Sequence, residues 1–223
     1  MGRLLALSDV HGSYQKFESM LEKINLTKED KLIVLGDNID RGPENMDMVF
    51  RLMQLKKEYN IVTLKGNHEE MFLEAITKNK TIEQIIESSW YSSYNHNGTM
   101  FSLREYFRLS KEKQAIIKKE IESYKLYHIE HDFLFVHAGV AKGIPIERQH
   151  EGDLVWIRER FTDQHSHGLP YTVVFGHTPT IYLNQDRSFT IWRKNDKIGI
   201  DCGASYGGSL ACIDLTNNIE YYV

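Results

Sequence analysis

Two cysteines and four prolines in 223 residues leave this chain with few staples and few stiffened turns. Cys202 and Cys212 stand ten apart, a spacing that fits neither a zinc-binding pair nor a disulfide framework. A reducing cytoplasm is therefore the expected setting. No run of about 18 apolar residues occurs, which excludes a membrane-spanning helix. The apolar opening, Leu4 to Leu7, stops at Ser8 and Asp9 and is too short for a signal peptide. A basic excess is missing too. Lys+Arg is 27 against 31 Asp+Glu, a net charge of −4, so a grip on a nucleic-acid backbone is not expected. The one dense basic stretch, Lys111 to Lys125, is laced with Glu112, Glu120 and Glu122 and reads as a solvated helix face. A monomer or a weak homo-oligomer is the expected assembly.

Several catalytic signatures are also absent. There is no P-loop, and His68-Glu69-Glu70-Met71 fails as H-E-x-x-H because position 72 is Phe. Gly203-Ala204-Ser205-Tyr206-Gly207 spells G-x-S-x-G, but a strand-like segment follows it and no His lies beyond His177, so a serine hydrolase is set aside.

What is present is ordinary globular composition, 41% hydrophobic and 26% charged. Residues 1–223 are enough for one domain with its own core. Apolar runs at Leu4–Leu7, Lys31–Leu35 and Ile61–Leu64 alternate with helical periods over Tyr14–Ile24 and Met46–Met53. From about 69 to 125 the pattern is mostly helical, an insert with candidates at 71–77, 82–88, 100–109 and 111–122. Strand signals return at 133–136, 172–175, 189–192, 198–200, 210–213 and 219–222. Early βαβαβ, a helical insert and later strands predict an α/β fold with mixed sheets.

Five of the strands end alike, on a small or turn residue followed by a side chain that can ligate metal. The residues so delivered are Asp9 and His11, Asp37, Asn67 and His68, His137, and His177. Ligands in α/β sheets collect outside the carboxyl ends of strands, so these side chains should surround one crevice. The set is all oxygen and nitrogen, which suits Mn, Fe or Zn in a catalytic site better than a structural zinc. Without His68 the set is six ligands, Asp9, His11, Asp37, Asn67, His137 and His177, too many for one tetrahedral ion and about right for two ions sharing a bridge.

Asp9-Val10-His11-Gly12 resembles the GDxHG motif of the PPP phosphoprotein phosphatases, within the wider metallophosphoesterases, with Ser8 in place of the first Gly. Gly36-Asp37-Asn38-Ile39-Asp40-Arg41-Gly42 is similar to GDxVDRG, and Gly66-Asn67-His68-Glu69 to GNHE. His137-Ala138-Gly139, Gly176-His177-Thr178, the stretch Asp153 to Arg158 and Asp201 to Gly208 resemble later blocks of bacterial and phage members. The resemblance implies a calcineurin-like sandwich of two mixed β-sheets flanked by helices. It implies two divalent ions, Mn2+ foremost and Fe or Zn as alternatives. Asp9, His11 and Asp37 would hold one ion; Asp37, Asn67, His137 and His177 would hold the other. A hydroxide bridging them would attack phosphorus directly. His68 would protonate the leaving oxygen, Asp40 would fix its tautomer, and Arg41 and Arg158, with Asn67, would bind the phosphate.

The reaction implied is hydrolysis of phosphoserine and phosphothreonine in proteins, extending to phosphotyrosine. The first alternative is symmetrical cleavage of diadenosine tetraphosphate to two ADP. Some members of that branch lack the Asp matching Asp40, so its presence favours the phosphoprotein reading. An inactive metal-binding scaffold is a third reading. Four features stay open: the aromatics Trp90, Tyr91, Tyr94 and Phe101 as insert core or stacking surface; His96-Asn97-Gly98 as a substrate-recognition loop; Tyr206 as pocket rim or packing; and His165 with His167 as solvated loop residues.

Overall fold

A computed structural model describes residues 2–223. Two five-stranded mixed sheets face one another. The first has the order β10-β9-β1-β2-β3, from β1 (Leu4–Leu7), β2 (Lys31–Val34), β3 (Asn60–Thr63), β9 (Ala211–Asp214) and β10 (Ile219–Tyr222). The second has the order β4-β5-β6-β8-β7, from β4 (Tyr127–Glu130), β5 (Phe133–Val136), β6 (Thr172–Phe175), β7 (Trp192–Lys194) and β8 (Lys197–Gly199). Three strands of each sheet run parallel, β1-β2-β3 and β5-β6-β8, while β9, β10, β4 and β7 pair antiparallel.

β1, β2, β5 and β6 are buried on both faces, which is why they read as continuous apolar runs. Alternation along each strand still sorts them. Leu4, Ala6 and Ile33 meet Phe135, Val174 and Ile198 between the sheets. Leu5, Leu7, Leu32 and Val34 turn the other way onto α1 (Tyr14–Ile24) and α2 (Asn45–Glu58) through Phe17, Met20 and Leu52. On the far side of the second sheet, Leu134, Val136 and Val173 pack against Leu154, Val155 and Phe161. The latter come from α8 (Glu151–Trp156) and α9 (Glu159–Thr162).

Between β3 and β4 lie five helices: α3 (Asn67–Lys78), α4 (Ile82–Glu87), α5 (Tyr91–His96), α6 (Thr99–Arg108) and α7 (Lys111–Glu122). They share a core of their own, with Phe72, Tyr94, Leu103 and Ile117 meeting Met46 and Val49 of α2. On α7 the buried face is Gln114, Ile117 and Ile121, and most of its lysines are exposed, as expected of a solvated basic face.

Several elements differ from the sequence expectation, among them the short helices α5, α8 and α9, for which the sequence offers no separate candidate. Helix α3 starts four residues earlier, at Asn67, because Glu69 accepts the Gly66 N–H and so supplies half of a capping box. The strand expected at 189–192 is shifted to Trp192–Lys194, since Phe189 leaves the ladder to pack into the inter-sheet core. Strand β4 is an addition; its mixed Tyr-His-Ile-Glu pattern is that of a half-buried edge, with Glu130 ion-paired to Lys31 at 2.6 Å.

The entrance to β1 is held by charge. Asp30 accepts the Arg3 N–H at 2.8 Å and the Arg3 guanidinium at 2.6 Å, and caps Thr27 N at 3.0 Å. Burial works against its charge, but these donors win and hold the carboxyl well below its ordinary range. A depressed folded value stabilises above the unfolded value, near pH 4, and is lost as pH falls through the folded one. Asp30→Asn should therefore cost roughly 1.5–3 kcal/mol in urea unfolding at pH 7, a gap that narrows at pH 3. A gap that stays constant between the two would show that charge plays no part.

Candidate metal centre and active site

Six parallel strands deliver polar residues to one edge of the sandwich. Asp9 and His11 follow β1, Asp37 follows β2, Asn67 and His68 open α3 after β3, His137 follows β5, and His177 follows β6. The sixth strand, β8, delivers Asp201, the first residue of the Asp201 to Gly208 block. All of these side chains are at least 96% buried.

The backbone is bent hard to present them. Asp9, His11, Asp37, Asp40, Arg41 and His177 all have positive φ, between 49° and 74°. Such conformations cost about 1–3 kcal/mol each and persist where the surroundings over-determine them. Two glycines permit the close approach. A Cβ on Gly66 would lie 2.1 Å from Asp37 Oδ1, and one on Gly176 would lie 2.1 Å from both Asp9 Oδ2 and Ser8 Oγ.

Hydrogen bonds fix which ring nitrogen faces inward. His11 Nδ1 donates to the Ile39 carbonyl at 3.0 Å, and His137 Nδ1 to the Leu35 carbonyl at 2.8 Å. A carbonyl only accepts, so in both rings Nε2 is turned to the site. Asp37 faces both of them, Oδ1 lying 3.4 Å from His137 Nε2 and Oδ2 3.7 Å from His11 Nε2. Asn67 Oδ1 lies 3.0 Å from His137 Nε2. Asp9 is oriented by the Ser8 hydroxyl and by the His177 N–H at 3.0 Å, and stands 4.0 Å from His11 Nε2. Ser8, a departure from the family motif, is thus tied to the site.

Two overlapping groups could hold an ion, His11–Asp37–His68 and Asp37–His137–His177, each with its donor atoms within 4.8 Å. The fit is chemical as well as geometric. His177 Nε2 is buried and has no hydrogen-bond partner, the condition of a donor meant for something other than protein. Crowded carboxylates leave a negative excess. Burial opposes the charge of His137, yet Asp37 beside it carries the imidazole up to about 9. Burial and the neighbouring Asp9 push Asp201 well above its ordinary range. Burial and then His137 push His177 well below its own. Cations answer each of these at once.

Around this set lie the other expected residues. His68 Nδ1 donates to Asp40 Oδ2 at 2.7 Å, and burial of this ring is outweighed by Asp37 and Asp40, which raise its basicity. Arg41 spans His11 Nε2 at 2.9 Å and His68 Nε2 at 3.1 Å, its guanidinium 4.7 Å above the ring of half-exposed Tyr206. Tyr206 is therefore at the rim. Arg158 donates to the His177 carbonyl at 3.0 Å, whereas Arg160 is exposed and pairs with Asp153. Trp156 lies edge-on to His177 with centroids 6.1 Å apart, and its Nε1 donates to Glu70. Of the insert aromatics, Tyr94 is core, while Trp90 and Phe101 are half-exposed. His167 differs from the expectation of a solvated loop residue: it is fully buried beside Phe161 and 3.3 Å from Asp196, because the Ser166 hydroxyl and the His167 N–H tie the loop to that carboxylate; His165 is exposed as expected.

The residue most under-read in the sequence is Glu69. Its buried carboxylate accepts the N–H groups of Asp37, Asn38 and Gly66 at 2.8–2.9 Å and the Asn38 side-chain amide at 3.2 Å. Glu69→Gln would aim an amide N–H at backbone donors. It should destabilise by roughly 1–3 kcal/mol per orphaned donor and weaken Mn2+ binding about 10–100-fold through displaced Asp37. Urea unfolding and calorimetric Mn2+ titration read both; unchanged values in the variant would refute the assignment.

A family model described as calcineurin-like phosphoesterase matches residues 2–204. Serine/threonine-protein phosphatase 2 of Escherichia coli (strain K12) is 44% identical over 70 residues, which spans 31% of this chain and 30% of that relative. The asymmetrical bis(5'-nucleosyl)-tetraphosphatase PrpE of Bacillus cereus (strain B4264) is 26% identical over 239 residues, covering 92% of this chain and 87% of the relative. A solved structure provisionally assigned as a diadenosine tetraphosphatase superposes with a TM-score of 0.72 at 21% identity, over 100% of this chain and 93% of that one. A serine/threonine phosphatase from Saccharomyces cerevisiae has the same fold at a TM-score of 0.60 and 14% identity, over 96% of this chain and 73% of its own. With a family model running along nearly the whole sequence and two mixed sheets converging on a nitrogen–oxygen donor set, the chain belongs to the calcineurin-like phosphoesterases.

Proposed function

We propose that this metal-dependent phosphatase hydrolyses phosphoserine and phosphothreonine in proteins, extending to phosphotyrosine. The observation that carries the reading is the buried His68–Asp40 pair beside Arg41, at the lip of the donor set. Residues 1–223 act as one catalytic domain, with the helices at about 69–125 as its substrate-facing insert. The protein works in the cytoplasm, as a monomer or weak homo-oligomer.

In this proposal Asp9, His11 and Asp37 hold one divalent ion, and Asp37, Asn67, His137 and His177 hold the second. Mn2+ is the ion of choice. Such a pair supplies Lewis-acid polarisation of the phosphoryl group and lowers the pKa of the attacking water. The chain does the rest. Arg41 and Arg158 bind phosphate oxygens as planar forks, and Asn67 lies close enough to share that task. Water adds to phosphorus as the bond to the leaving oxygen breaks, and His68 Nε2 gives that oxygen its proton. The Nδ1–H···Asp40 bond keeps the ring in the orientation the transfer needs.

A second reading has a specific support: several relatives matching 92–93% of the chain are named asymmetrical bis(5'-nucleosyl)-tetraphosphatases. Phosphate recognition by two arginines is the same in either case. The test is kcat/KM of the Mn-loaded protein on a phosphothreonine peptide against diadenosine tetraphosphate. The proposal expects the peptide to win by at least about tenfold, or 1.4 kcal/mol of transition-state preference. A dinucleotide win moves the function to nucleotide cleavage, and the products separate symmetrical (two ADP) from asymmetrical (ATP and AMP) cutting.

His68→Asn should lower turnover of phenyl phosphate, a poor leaving group, by about 100-fold or more. Turnover of p-nitrophenyl phosphate should fall far less. Equal losses on both would remove the acid role.

A further inference from the structure

Helix α6 carries a polar stripe that points into the protein. Gly98, Thr99, Ser102 and Glu105 recur at helical spacing, and each touches the loop from Asp40 to Met46, some sixty residues earlier. Thr99 Oγ1 donates to Asp40 Oδ2 at 2.7 Å, and Ser102 Oγ donates to Asp40 Oδ1. Ser102 Oγ in turn accepts the Asp40 N–H at 2.9 Å. Glu105 accepts from Asn45 Nδ2 and from the Met46 N–H at 2.8 Å, at the start of α2. Gly98 accepts the Arg41 N–H at 3.4 Å, and a Cβ on it would stand 2.9 Å from Arg41 N and Cγ.

Hydroxyls in a helix ordinarily bond to their own backbone. Both of these are fully buried and both are spent on one carboxylate in a distant loop. That carboxylate belongs to a residue with φ of 74°, a conformation that must be held by its surroundings. With His68 Nδ1 the carboxylate has three donors, one of which moves with the substrate-side ring.

We propose that Thr99 and Ser102 are positioning residues for the reaction. They hold the Asp40 carboxylate in the plane that aims His68 Nε2 at the leaving oxygen, and Gly98 leaves room for the Arg41 backbone beside it. The insert thereby shapes the chemical step as well as the surface around it. This inference rests on the acid role of His68, and the experiment separates the two.

Thr99→Val, Thr99→Ser and Ser102→Ala are compared with His68→Asn on phenyl and p-nitrophenyl phosphate. Thr99→Val and Ser102→Ala should each lower kcat on phenyl phosphate by about tenfold, with under about threefold change on the nitrophenyl ester and in KM. Thr99→Ser, which keeps the hydroxyl, should restore most of the loss. On a His68→Asn background Thr99→Val should cost less than about twofold more, because the two share one route. The proton on His68 Nδ1, a low-field NMR signal assigned by its absence in His68→Asn, should shift in Thr99→Val and Ser102→Ala. If His68→Asn itself shows no leaving-group dependence, the acid reading falls and this inference with it. If His68→Asn shows it while Thr99→Val matches Thr99→Ser, or both variants lose equally on both esters, the hydroxyls serve packing alone and the positioning role is refuted. Should Thr99→Val fail to fold, the Ser102→Ala rates and NMR signal decide the matter.

Discussion

The Glu69 carboxylate is the point on which the site turns. Four N–H groups from three residues end on its two oxygens, deep enough that water cannot substitute for any of them. Those donors lie on the turn after β2 and the turn after β3, so one side chain sets the spacing between two strand ends. Asp37 cannot hold a φ of 52° unless its N–H has a partner, and Asn67 and His68 cannot open a helix unless the Gly66 N–H has one. Each requirement is met by the same group. Buried networks of this kind rigidify when complete and are costly when one member is missing.

From that anchor the two sheets are sewn together along their carboxyl edges. His137, on the second sheet, donates to Leu35 on the first; the His177 N–H reaches Asp9; the Asn67 amide meets His137. The apolar core between the sheets has no directional preference and would tolerate small sliding. The polar bonds at the edge do not. The residues that gather negative charge for cations thus also fix the registry of the sandwich, and the positive φ values clustered there record the conformational cost of doing both.

Much of this was legible because it is local. A short, mainly apolar strand followed within one or two residues by a polar side chain is a local unit, and it recurs five times, with a glycine at the bend in three of them (Gly36, Gly66 and Gly176). The side chains of Asp9, His11, Asp37, Asn67, His137 and His177, and the hydrogen-bonded pair His68–Asp40, lie together at the carboxyl ends of the parallel strands. What escaped is set by tertiary direction. Thr99, Ser102 and Glu105 look like the polar face of an amphipathic helix, but they adjoin the buried Met100–Leu103 face and turn inward with it, leaving Phe101, Arg104 and Arg108 exposed. Glu69 was visible as a motif letter, but its four donors come from residues whose backbones must first be bent. His167 sits between Ser166 and Gly168 in a polar stretch, and its burial depends on Asp196 in a turn 29 residues later. Edge strand β4 lacks the apolar run that marks the central strands.

The order of strands in the first sheet has a consequence for how the chain is made. β1 lies between β2 and β9, with Leu5 paired to Asp214 and Leu7 to Cys212. During synthesis from the amino end, the strand that bears the first ligands waits with one hydrogen-bonding edge open until more than two hundred residues have been joined. An unpaired, wholly apolar edge is a template for wrong partners. The edge of β1 that bears the first polar residues of the site is thus protected only once β9, two hundred residues further along, has been made and paired with it.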